Sequence, residues 1–164
     1  MKLIVSREAR VQVAKHAWHR CNRRVYGAIL GFRFTILAAL PFSSVKTWEE
    51  SDRTACEAAL LAPARQLAKQ LHLQVIGWYA SSDADFHDEK ACPLRNEGIF
   101  IDYYLMCCPG HSWVSYFSNG RIIAHDRVAV SPGKRLTSTI NQRKIIAHWN
   151  RLLGRNCYLD EQRP

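Results

Sequence analysis

The sequence predicts an α/β fold: one domain of strands and helices ending in a basic C-terminal helix. Three observations lead there. The chain has 164 residues, the length of one ordinary domain and enough to bury a core. Stretches with strand patterning alternate with stretches of helical spacing. The composition, 48% hydrophobic and 23% charged, is that of a folded globular protein and excludes a disordered or low-complexity chain.

Leu3 to Val5 reads as a short strand. Ser6 is placed to cap a helix running to about Arg20, because its hydroxyl can accept a first-turn backbone N–H. Along that helix Val11, Ala14, Trp18 and Cys21 recur at helical spacing as an apolar stripe, with Gln12, His16, His19 and Arg23 on the other face. Two β-rich runs follow, Val25 to Gly31 and Phe34 to Leu40, joined by a tight connection and closed by Pro41. Their continuous apolarity predicts a hairpin buried on both faces.

Glu49 to Leu71 has helical spacing with Cys56, Ala59, Leu60, Leu67 and Leu71 as core. Pro63 either kinks it or starts a second helix, since proline lacks the interior donor. Gln74 to Tyr79 is an apolar strand ending at Ala80, followed by a polar, acidic loop over 81–89. Strands are expected at Ile99 to Cys107, Ser112 to Phe117 and Arg121 to Ala124, the last two joined by the turn residues Ser118, Asn119 and Gly120. Thr137 to Leu153 predicts a final helix with Ile140, Ile145, Trp149, Leu152 and Leu153 apolar and Lys144, Arg151 and Arg155 exposed.

The net charge of +9 is uneven. Residues 1–35 hold eight Lys/Arg against one acid, residues 36–129 eight against eleven, and residues 130–164 seven against two. Basic ends favour an acidic protein, nucleic acid or an anionic surface. The six cysteines form no Cys-x-x-Cys pair and read as reduced thiols of a cytoplasmic protein. No apolar stretch approaches the roughly 20 residues of a spanning helix, and neither a signal peptide nor a membrane span is expected.

Three local sequences resemble the MPN (JAB/Mov34) domain. Arg24-Val25-Tyr26-Gly27-Ala28-Ile29-Leu30-Gly31 is similar to its second strand, Ala38-Ala39-Leu40-Pro41-Phe42 to the exit of its third, and Val75-Ile76-Gly77-Trp78-Tyr79 to the strand entering its active-site loop. The resemblance implies a single MPN/JAB-like domain, a curved mixed β-sheet flanked by helices, with its core over residues 1–130 and with 131–164 a C-terminal helix and tail packing on or extending the same domain.

Catalytic members hold zinc with a His-x-His-Pro motif and a later aspartate, and a glutamate acts as base on the metal-bound water. Such a site needs neutral imidazoles, an open coordination position and a base within reach. Here Ala80-Ser81-Ser82-Asp83 replaces the tetrapeptide, so Ala80 and Ser82 stand where imidazoles would. Ala91 and Leu94 fall on the Ser-x-x-Asp positions and Arg24 on the glutamate. The resemblance therefore implies the noncatalytic class: a pseudoenzyme without cofactor, acting as a scaffold subunit that binds other proteins, such as another MPN domain or a ubiquitin-like protein.

Other readings compete. Asp83, Asp85, His87 and Asp88, with His111, could gather a divalent ion and make a divergent metal-dependent isopeptidase or peptidase, although carboxylates in such spacing also mark hydrated loops. Cys107 and Cys108 near His111 suggest a thiol nucleophile, but no third orienting residue accompanies them. A nucleic-acid-associated role would rest on phosphate contacts and fall steeply with salt. For partner binding, Trp18 and Trp149 on the apolar stripes and Arg143 and Lys144 beside them are the candidates; Trp149 is equally consistent with core, and Trp18 lies closer to it.

Overall fold

The computed structural model describes residues 2–19, 25–42, 61–83, 98–105, 112–126 and 142–153. In chain order these form β1 (Ile4–Val5), α1 (Arg7–His19), β2 (Tyr26–Phe32), β3 (Thr35–Phe42), α2 (Ala62–Gln70), β4 (Gln74–Asp83), β5 (Ile99–Leu105), β6 (Ser112–Ser118), β7 (Arg121–Asp126) and α3 (Gln142–Leu153). The strands make one mixed sheet in the order β1-β3-β2-β4-β5-β6-β7, parallel at β1–β3 and β4–β5.

The sheet is covered on both sides. On one side Ala9, Val13 and Ala17 of α1 cluster with Ile29, Ile36 and Tyr79 of the sheet. On the other, Leu67 of α2 and Ile145 and Trp149 of α3 cluster with Leu30, Leu40 and Trp78. This is why β2 is buried from Tyr26 through Gly31 without polar alternation, as the sequence of a two-sided strand requires.

Ser6 caps α1. Its Oγ accepts the Ala9 N–H at 3.1 Å and donates to the Leu37 carbonyl at 2.9 Å. Leu37 is an extra residue in β3, because Leu30 pairs with Ala38 while Gly31 pairs with Ile36. That bulge reverses the alternation, so Ile36 and Ala39 both reach the α1 side. A second shift leaves Ile76 extra in β4, since Ile29 pairs with Gly77 and Leu30 with Val75. Beside it Gly77 lies so close to the Ile99 backbone that a Cβ would overlap the carbonyl oxygen. Glycine is needed there for contact, not for an unusual φ.

Several expectations change. The buried face of α1 is Ala9, Gln12, Val13, Ala14, His16 and Ala17, whereas Val11 is 40% exposed. The stripe is rotated toward His16, whose Nδ1 meets the Tyr79 hydroxyl of the sheet at 2.8 Å. β4 continues through Asp83, held by parallel pairing from Gly77 with Ile99 to Asp83 with Leu105, so residues 81–83 are strand and not loop. Pro63 lies in the first turn of α2, where its missing donor costs nothing. The β6–β7 turn has Asn119 and Gly120 both at positive φ, as a tight hairpin requires.

Candidate functional site

The resemblance directs attention to the end of β4, and the register shows what surrounds it. Ala80 pairs with Tyr26 on one side and Asp102 on the other; Asp102 pairs with Ser115, and Ser115 with His125. One row therefore crosses five strands, β2 and β4 through β7. On the α2/α3 side its first half is core: Ala80 is 3% exposed and clusters with Tyr26, Phe42, Trp78 and Phe100. Its second half is more open, with Asp102 and Ser115 half-buried and His125 exposed.

Ser115 Oγ and His125 Nδ1 are 2.9 Å apart. A hydroxyl beside an imidazole is the start of a nucleophilic site. Here the order of the row places Ser115 between Asp102 and His125. Two strand spacings, roughly 9–10 Å, separate the carboxylate's strand from the imidazole's. The aspartate is not placed to orient the base, and the pair reads as a cross-strand hydrogen bond. One step along the strands, Tyr104 stacks on Trp113 with ring centroids 4.4 Å apart and planes 9° from parallel. This second cross-strand pair borders the first.

The α1 side carries a more buried polar set that sequence reasoning missed. His16 is fully buried and edge-on to the Tyr79 ring as well as hydrogen-bonded to its hydroxyl. That ring lies over Gly27, where a Cβ would collide with it. Trp18 Nε1 donates to the Tyr103 hydroxyl at 3.1 Å, and that hydroxyl shares a hydrogen bond with Ser112 Oγ at 3.0 Å. Ser81 Oγ accepts the Val25 N–H at 2.8 Å. The His16 and Trp18 contacts fix α1 on the sheet. His16 could have been read as a helix-to-sheet bond only with knowledge of Tyr79's position.

The predicted site residues divide accordingly. Ala80 is core, and Ser82 and Asp83 occupy β4 positions. Arg24, Ala91, Leu94, Asp85, His87, Asp88, Cys107, Cys108 and His111 lie outside the described residues. Among the described residues no group of three or more His, Cys, Asp or Glu side chains could hold a metal ion. Of the two readings of Trp149, core and interface anchor, the structure gives the core. The side chain is fully buried, and its Nε1 donates to the Pro41 carbonyl at 2.6 Å. Trp18 is half-buried, while Arg143 and Lys144 are exposed on α3. No helix among the described residues is long and apolar enough to cross a membrane.

Comparison of the sequence with known protein-family models and with curated proteins returns no match.

Proposed function

We propose that this chain is a catalytically silent MPN-like domain that binds other protein subunits within a larger assembly. The observation that carries the reading is Ala80. The position that resembles the family's first imidazole holds a methyl group packed among Tyr26, Phe42, Trp78 and Phe100, with no ligating atom. The succession of strand, helix, hairpin, helix and strand on which the resemblance rests agrees with the element order. Gly27 and Gly77, two glycines of the resembling segments, each have a packing reason.

With the zinc-binding imidazoles replaced, surface recognition is the remaining way for such a domain to act. Arg143 and Lys144 lie exposed on α3, suited to steering an acidic partner. Trp18 contributes a half-buried aromatic on the opposite side of the sheet.

The test is cleavage of an isopeptide-linked ubiquitin dimer with added zinc. Neither the native chain nor Arg24→Glu should cleave it, because a restored base without a bound metal has no activated water to deprotonate. Zinc-dependent cleavage by either protein overturns the reading.

A further inference from the structure

We infer that the outer surface of α2 and α3 binds the phosphate backbone of a nucleic-acid duplex without reading its sequence. This does not rest on the MPN reading; it rests on charge, on exposure and on what that surface lacks. The two helices pack against one another on one face of the sheet. Between them they carry Arg65, Lys69, Arg143, Lys144 and Arg151 and no Asp or Glu. All five cations are exposed. α1, on the other face, differs: Glu8 lies in its first turn and Val11 is exposed.

Stability does not account for where the cations stand. Arg143 and Lys144 lie in the first turn of α3, where the helix dipole disfavours positive charge. A bound anion offsets that penalty. By helical spacing Arg143, Lys144 and Arg151 fall within one arc, opposite the core residues Ile145, Trp149 and Leu152. Arg143 and Arg151 stand about 12 Å apart along the axis, roughly three base-pair steps of a duplex.

What the surface lacks decides the class of partner. A tight protein interface needs apolar or aromatic anchors, and a helix lying on a membrane needs bulky apolar side chains on its outer face. Among the described residues the exposed large hydrophobics are Ile4, Val11, Phe32, Ile122 and Ile123, all outside α2 and α3. Beside the cations of α2 stand Gln66 and Gln70, also exposed. Arg, Lys and Gln are side chains that hydrogen-bond phosphate oxygens. The only Phe, Trp or Tyr of the two helices, Trp149, is buried and presents no face for base stacking, so a duplex fits this surface better than a single strand.

Fluorescence anisotropy of a short labelled DNA duplex, titrated with the full chain at several salt concentrations, tests this, with circular dichroism of each variant as the check on folding. The native chain should bind, its log affinity falling linearly with log salt. Lys144→Gln with Arg151→Gln should weaken binding about tenfold or more at low salt and make the slope shallower by about two. Arg65→Gln with Lys69→Gln should act in the same direction. Lys2→Gln with Arg7→Gln removes as much charge from outside α2 and α3 and should leave affinity and slope unchanged. Absence of binding at low salt, or a control pair that costs as much as the helix pairs, overturns the proposal. So does equal affinity for polyglutamate or for phosphatidylserine vesicles, which would assign the surface to an acidic protein or a membrane.

Discussion

Trp149 shows how one side chain can change its role between sequence and structure. On a helix rich in Arg and Lys its apolar surface suits an interface as well as a core; the hydrogen bond to the Pro41 carbonyl and complete burial place it in the core. Trp149→Ala should lower unfolding free energy by about 3–5 kcal/mol, the usual cost of removing a buried aromatic. Trp149→Phe should recover much of the packing but leave the Pro41 carbonyl without this donor, at a cost of about 1–3 kcal/mol. Denaturant titration of both variants measures the two contributions. Tyr79→Phe isolates another buried contact: removing the hydroxyl from His16 Nδ1 should cost about 1–3 kcal/mol while the ring still fills the space over Gly27. A variant as stable as the native chain would show that the His16–Tyr79 bond adds nothing net.

At the scale of elements, the sequence carried much of the fold through signals that are local. The Ser6 cap, the two-sided apolarity of β2 and β3, the Asn119-Gly120 turn and the start of α2 near Pro63 each depend on a few neighbouring residues. What was not legible depends on pairing between distant segments. The extension of β4 to Asp83 comes from β5, because a parallel partner supplies backbone bonds to polar residues that alone read as loop. The buried face of α1 is set by Tyr79, more than sixty positions away, so helical spacing alone selected Val11 and passed over His16. The bulges at Leu37, Ile76 and Ile123 likewise leave no mark that a period-two pattern could show. Gly77→Ala tests the β4–β5 junction. Its added methyl meets the Ile99 backbone, which cannot rotate away as a side chain can, so the loss should reach or pass the usual overpacking cost of about 1–3 kcal/mol. A thermal transition close to that of the native chain would contradict the close approach.

For the whole molecule, the described residues form two core clusters, one on each face of the sheet. Charge is then available for recognition. Arg143→Glu with Lys144→Glu alters two exposed side chains of α3, and stability should shift by no more than about 0.5 kcal/mol. The same double variant should slow association with an acidic partner, an effect that fades as salt screens the charges. The resemblance drew attention to Ala80 and Ser82 from the sequence alone, whereas the row from Ala80 through Asp102 and Ser115 to His125 required the register of four neighbouring strands. The central claim, a silent fold, is tested most directly by elemental analysis of the chain purified without chelator. The account predicts no stoichiometric zinc; one zinc per chain, lost on changing Asp85 or His87 to alanine, would contradict it.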